Sequence, residues 1–234
     1  MTIVAKTDIG KAREINQDYY TIPKGDDDKL KICILADGMG GYKGGEIASK
    51  LAVETAKGYI ESNFDKIEHN REEILKLING AMQYANMVVY DKSKESDDLK
   101  GMGTTLDICF IYNNKIYMGH IGDSRVYRIR KGVIRKLTKD HSYVQKLVED
   151  GKITRQEAKN HPKKNMLMKA LGCTPYIEPD IRARNFEKND VLIMCSDGLT
   201  NMVEETEILK TVSENSKDAP SKLIKIANDA GRIW

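Results

Sequence analysis

Apolar positions along the chain switch between two periods, and the switches mark out its elements. Lys31-Ile32-Cys33-Ile34-Leu35-Ala36 is a short apolar run closed by Asp37-Gly38, which predicts a buried strand that stops at a turn. From Gly45 the period lengthens: Ile47, Ala48, Leu51, Ala52, Thr55, Ala56 and Tyr59 fall on one helical face. A second helix carries the stripe Ile74, Leu75, Ile78, Met82, Ala85 and Val89, and the charged stretch from Lys92 to Lys100 reads as an exposed loop. A cluster of strands follows. Thr104 to Tyr112 turns at Asn113-Asn114 into Lys115 to Ile121, and Arg125 to Arg130 turns at Lys131-Gly132 into Val133 to Leu137. Two short helices with polar surfaces, Ser142 to Gly151 and Thr154 to Asn160, form an excursion or flap over about 142–172. Val191 to Ser196 is another buried strand closed by Asp197-Gly198. Asp218 caps a last helix with Pro220 in its first turn and the stripe Leu223, Ile224, Ala227 and Ala230. A β-meander set between helical segments, without βαβ alternation, predicts an α+β fold with a mostly antiparallel sheet. No repeat, low-complexity tract or linker interrupts residues 1–234, so a single domain is expected.

Charge narrows the partners. Lys and Arg total 38 against 35 Asp and Glu, and a net +3 spread along the chain gives no polyanion-binding stripe. No apolar run approaches the roughly 20 residues of a membrane helix. Met1-Thr2-Ile3-Val4-Ala5-Lys6 lacks the ~7–15 apolar residues of a signal-peptide core. A soluble cytoplasmic protein is expected. Cys33, Cys109, Cys173 and Cys195 form no C-x-x-C pair; the three in apolar runs read as reduced core thiols, consistent with a reducing compartment.

The candidate chemistry lies where strands end. Asp37-Gly38 and Asp197-Gly198 close two apolar strands, and Gly122-Asp123 closes a third. A carboxylate at the mouth of a buried strand is costly to desolvate, and several converging on one sheet end repel one another. A divalent cation removes that conflict. Oxygen ligands without a Cys/His set point to a hard ion, Mg2+ or Mn2+. For one strand alone, an Asp-Gly pair marks only a turn; three together favour the metal. Glycines 38, 40, 41, 44 and 45 make a dense turn that matches neither nucleotide-binding fingerprint. Arg13 and Asp18 offer a guanidinium fork for a phosphate and a carboxylate for a metal, or else a plain surface charge pair.

Taken together these segments resemble the metal-dependent protein phosphatases of type 2C (PPM), in particular the small bacterial members that oppose Hanks-type serine/threonine kinases. The matching pieces run in family order: Arg13-x-x-Asn16-Gln17-Asp18, Ala36-Asp37-Gly38-Met39-Gly40-Gly41, Gly101-Met102-Gly103-Thr104-Thr105, Gly119-His120-Ile121-Gly122-Asp123-Ser124-Arg125, Leu137-Thr138-Lys139-Asp140-His141-Ser142 and Cys195-Ser196-Asp197-Gly198-Leu199. The resemblance implies a central antiparallel β-sandwich between helical layers (four layers, αββα), with metals at one end. It implies that Asp37 bridges two Mn2+ or Mg2+ ions and positions the nucleophilic water, and that the Gly38 carbonyl binds one of them. Asp197 ligates a metal, Asp18 acts mostly through metal-bound water, Asp123 joins Asp197 in a third, weaker site, and Arg13 holds the substrate phosphate. The implied substrates are phosphorylated proteins, including a Hanks-type kinase and its targets, with no nucleic acid and no membrane insertion. Met39 stands where some members place a histidine, so His120, His141 and His161 remain as candidates for the acid that protonates the leaving group.

One departure stands at the C-terminus. The family ends its last helix with a Gly-rich turn, an Asp-Asn pair and a closing apolar strand, whereas this chain reads Ala227-Asn228-Asp229-Ala230-Gly231-Arg232-Ile233-Trp234. Asn228-Asp229 precedes the glycine and does not match the ligand. The last strand and its carboxylate are therefore expected to be missing, weakening the metal site shared with Asp197. The alternative to an active enzyme is a weakly active or inactive phosphatase-like module that binds phosphoproteins in bacterial signalling.

Overall fold

The computed structural model describes residues 1–23, 30–40 and 44–231. Gly41 and the C-terminal Arg232-Ile233-Trp234 of the sequence motifs lie outside the described residues. The strands are β1 (Asp18–Thr21), β2 (Lys31–Met39), β3 (Gly103–Thr104), β4 (Leu106–Tyr112), β5 (Lys115–Ile121), β6 (Arg125–Arg130), β7 (Val133–Lys136), β8 (Asp180–Asn185) and β9 (Val191–Cys195). The helices are α1 (Gly44–Asn63), α2 (Arg71–Lys92), α3 (Tyr143–Glu149), α4 (Arg155–Lys159), α5 (Asp197–Thr200), α6 (Glu205–Glu214) and α7 (Ala219–Ala230). One sheet runs β1-β2-β4-β5-β8 with β3 also paired to β2; the other runs β7-β6-β9. Every pairing is antiparallel.

Three apolar clusters separate four layers. Ile32, Ile34, Ile108, Phe110 and Tyr117 of the first sheet pack on α1 and α2. Cys109, Ile116 and Met118 meet Val126, Leu192 and Met194 between the sheets. Ile129 and Ile193 of the second sheet lie under Ile208 and Val212 of α6 and Leu223 of α7. The αββα sandwich is thus present, with α3 and α4 in the excursion between β7 and β8.

Several elements differ from the pattern reading. The strand that was to stop at Asp37-Gly38 runs on to Met39, because β1 pairs with it on one side (Asp18 opposite Asp37) and β3 on the other (Gly38 opposite Thr104). Gly38 is a close-approach residue: a Cβ there would stand 2.0 Å from the Gly45 carbonyl oxygen. The buried face of α1 is turned toward Ala48, Ala52, Val53, Ala56 and Ile60, leaving Ile47, Leu51 and Tyr59 half-buried. Asp218 holds the N-cap position of α7, but its side chain does not cap; its carboxylate accepts from the Asn215 amide at 2.7 Å. Asn228 and Asp229 lie on α7 and engage the N-terminal segment: Asn228 donates to Asp8 at 3.1 Å, and Lys11 lies 3.7 Å from Asp229. Among the described residues no strand follows α7, and β9 pairs only with β6. Cys109 and Cys195 are buried, Cys33 is half-buried and Cys173 is exposed; all are free thiols. No helix among the described residues is long and apolar enough to cross a membrane.

Candidate active site

The site is assembled from the ends of both sheets. Asp18 opens β1, directly opposite Asp37 in β2. Opposed side chains on antiparallel strands stand about 5 Å apart at Cβ, so two like charges there repel. Asp123 follows Gly122, whose φ of +113° makes the turn from β5 toward β6. Asp197 is the first residue of α5, just beyond β9, and its carboxylate accepts from the Asn201 amide at 3.0 Å.

The local bonding explains how these acids are held. The Asp18 amide donates to the Asn16 side chain at 3.0 Å, and the Ser196 hydroxyl donates to the Asp18 carboxylate at 2.6 Å. The Gly38 amide donates to the Gln17 carbonyl at 3.0 Å, fastening the segment ahead of β1 to β2. Burial pushes Asp37 up to about 9, reinforced by the charges of Asp18, Asp197 and Asp123. Asp37 therefore keeps its proton and donates it to Asp18, which is itself raised by burial against the hydrogen bonds from Ser196 and Asp37. Asp123 is pushed up to about 7, by burial and then by the charges of Asp197 and Asp140.

The structure thus brings Asp18, Asp37, Asp123 and Asp197 into one electrostatic neighbourhood, with Asp18 and Asp37 in contact. Asp123 and Asp197 act on Asp37 through their charge: among the described residues, no three Asp, Glu, His or Cys side chains close up into a ready-made metal-ligating group. The donor set nevertheless suits a hard divalent cation. It is all oxygen, it is half-buried, and the proton between Asp18 and Asp37 does the charge-balancing work that a cation does better. Arg13 lies exposed on the loop ahead of β1 and makes no ion pair with these carboxylates among the described residues.

Each of the three candidate histidines is tied to its own neighbours. His120 is 2 % exposed; its Nε2 lies 2.9 Å from the Lys139 carbonyl and its Nδ1 2.8 Å from Asp107. A carbonyl can only accept, so Nε2 carries a proton and a further proton is shared with Asp107. His141 accepts the Gly122 amide at Nδ1, 3.2 Å away, and stacks obliquely 4.8 Å from His120. His161 accepts the Lys163 amide and faces Tyr143 at 6.0 Å. Beside them, Arg125 grips Asp140 through Nε and Nη2 at 3.0 and 2.7 Å, and Lys136 reaches the other oxygen at 3.0 Å.

Sequence reasoning passed over Ser196, Thr105 and Ser124 as functional residues, although all three lie inside the quoted motifs. The Ser196 hydroxyl touches the Asp18 carboxylate, the Thr105 hydroxyl the Asp37 amide, and the Ser124 hydroxyl reaches Asp37 only through Thr105; the signal was their adjacency to Asp197, the Thr104-Thr105 step and Asp123.

Comparison with known proteins agrees with this architecture. The sequence model described as protein phosphatase 2C matches residues 10–222. The serine/threonine phosphatase stp of Listeria monocytogenes is 38% identical over 229 residues, covering 97% of this chain and 89% of that protein. The crystal structure of the serine/threonine phosphatase Stp1 from Staphylococcus aureus superposes with a TM-score of 0.88 at 30% identity, over 97% of this chain and 88% of that one. The catalytic domain of the serine threonine protein phosphatase PstP, solved with two manganese ions, superposes with a TM-score of 0.83 at 31% identity, over 97% of this chain and 90% of that one. With the motifs in order, the four-layer sandwich and the carboxylates at its end, the chain belongs to the protein phosphatase 2C family.

Proposed function

We propose that this protein is a metal-dependent serine/threonine phosphatase that hydrolyses phosphoserine and phosphothreonine on proteins. The observation that carries the reading is the convergence of four half-buried carboxylates, Asp18, Asp37, Asp123 and Asp197, with Asp37 raised by burial and then by the charges of the other three. The relatives named serine/threonine phosphatase and the neighbour bearing two manganese ions support it. Asp37, the Gly38 carbonyl, Asp197 and, at longer reach, Asp18 would hold two Mn2+ or Mg2+ ions, and Asp123 with Asp197 would take a third more weakly. When bound, the cations supply the acidity that makes water nucleophilic near neutral pH and screen the charge on the phosphate.

The chain's own residues do the rest. With the cations bound, Asp37 would release its proton to solvent, and its carboxylate would then hold them and orient the attacking water. Ser196 keeps Asp18 turned into the site. Arg13, exposed at the rim, closes its guanidinium fork on the phosphate oxygens. The substrates are phosphorylated proteins in the cytoplasm, among them a Hanks-type serine/threonine kinase and its targets. Phosphate release from a phosphothreonine peptide with added Mn2+ tests this. Turnover that requires Mn2+ and is abolished by Asp37→Ala is the expected result; turnover that survives either Asp37→Ala or chelation overturns it.

A further inference from the structure

Asp37 lies in β2 and Asp123 in the turn from β5 to β6, and one residue touches both the Asp37 backbone and the residues that flank Asp123. Thr105 lies between β3 and β4, opposite Asp37 in a register that runs on from Gly38–Thr104. Its amide donates to the Asp37 carbonyl at 2.9 Å. The return bond of an antiparallel pair would run from the Asp37 amide to the Thr105 carbonyl. Here the Asp37 amide donates instead to the Thr105 hydroxyl, at 2.9 Å. That hydroxyl also lies 2.8 Å from the hydroxyl of Ser124, the residue after Asp123. Both side chains are sealed from solvent, at 1% and 0% exposure. The opposite edge of Thr105 braces the same turn, since a Cβ on Gly122 would stand 2.5 Å from the Thr105 methyl. A side chain has thus replaced a carbonyl in the ladder, and the replacement lets it reach across to the second sheet.

We infer that Thr105 is a positioning residue for the metal centre: its hydroxyl and methyl set the spacing between Asp37 and Asp123 without touching metal or substrate. The inference rests on the carboxylate reading above. Thr105→Val keeps the shape and removes the hydroxyl, stranding the Asp37 amide; Thr105→Ser keeps the hydroxyl. Groups that orient metal ligands typically change metal affinity by about 10–100-fold when removed.

The test is Mn2+ titration of the full chain by calorimetry, together with kcat and KM for p-nitrophenyl phosphate at saturating Mn2+. Thr105→Val should bind Mn2+ about tenfold or more weakly and lose kcat with KM within about twofold, and Thr105→Ser should restore both. Ser124→Ala cuts only the link to the second sheet, so it should weaken the weakest Mn2+ site and spare the tightest. Asp37→Asn separates the two failures. If it binds Mn2+ like the unaltered protein, the carboxylate reading falls. If it loses Mn2+ while Thr105→Val binds normally, only the role of Thr105 falls. Should Thr105→Val not fold, Ser124→Ala decides, and unchanged Mn2+ binding in that variant overturns the inference.

Discussion

The hydroxyl of Ser196 and the carboxylate of Asp18 meet at 2.6 Å although 178 residues separate them in sequence. Ser196 stands at the N-cap of α5 yet makes no capping bond with its side chain. The hydroxyl forgoes the local helix end and reaches from the second sheet to the edge strand of the first. A hydrogen bond to a charged group contributes roughly 1.5–3 kcal/mol. Ser196→Ala should therefore weaken Mn2+ binding by on the order of tenfold while leaving the far-ultraviolet circular dichroism unchanged; an affinity within twofold of the starting protein would contradict the role given to this bond.

The protonated Asp37 makes metal-free stability depend on pH. Its folded pKa, about 9, lies far above that of an unfolded aspartate. The contribution is fully present below the unfolded value near 3.8 and is lost as pH rises through about 9. In chelator, thermal melts should show Tm falling as pH is raised across this window. Asp37→Asn, which cannot ionise, should flatten the slope and raise Tm near neutral pH while abolishing Mn2+-dependent turnover. An unchanged slope in the variant would locate the effect elsewhere.

Arg125 and Asp140 form a forked pair, with the Asp140 side chain only 8% exposed. Burial alone would raise Asp140; Arg125 and Lys136 overcome it and hold the carboxyl below its usual range. Its stabilisation is present above the ordinary aspartate pKa and is lost as pH falls through the depressed value. Asp140→Asn strands Arg125 in a desolvated site, at a cost of about 3 kcal/mol. For a domain of this size, that corresponds to a Tm lowered by on the order of 10 °C. Differential scanning calorimetry at pH 7 measures it.

The two neighbouring histidines should titrate in opposite directions. Burial favours neutral His120, but Asp107 and the Lys139 carbonyl outweigh it and raise the pKa above its ordinary value. His141 is pushed down to about 4, by burial and then by the charge on His120. The His120 pairing is fully present below the ordinary histidine pKa of 6.5 and fades as pH rises through the raised one. Nitrogen-15 spectra of labelled histidine should show His120 taking up its second proton above pH 6.5. They should show His141 neutral, with its proton on Nε2, down to near pH 5. A His120 that titrates below 6.5 would refute the shared-proton arrangement.

What the sequence discloses follows how local each cause is. The alternation of β2 and the hairpins at Asn113-Asn114 and Lys131-Gly132 are set by neighbours in the chain, and they stand where the pattern placed them. β8 escaped because Asp180-Ile181-Arg182-Ala183-Arg184-Asn185 is a charged edge strand that buries only Ala183. α6, with Ile208, Thr211 and Val212 buried on a short amphipathic face, was also passed over. The Asp-Gly pair of β2 was read as a turn because nothing local reveals that strands flank it on both sides. The acids of the site are legible because a carboxylate at a strand mouth is conspicuous. The hydroxyls that hold them are not, because Thr105 and Ser196 act only across the sandwich.

Asn86, completely buried on α2, turns its carboxamide outward to the chain that returns from the excursion. It accepts the Gly172 amide at 2.8 Å and donates to the carbonyls of Thr174 and Pro175 at 3.0 and 3.2 Å. No residue of α3 or α4 is buried. The excursion is therefore moored at its downstream root by Asn86 as it is upstream by Asp140 and His141, with its two helices lying outside the core between them. Hydrogen exchange ought to divide sharply at these moorings, with fast amides through 143–159 and a slow one at Gly172, and any swing of the two small helices is held at both roots.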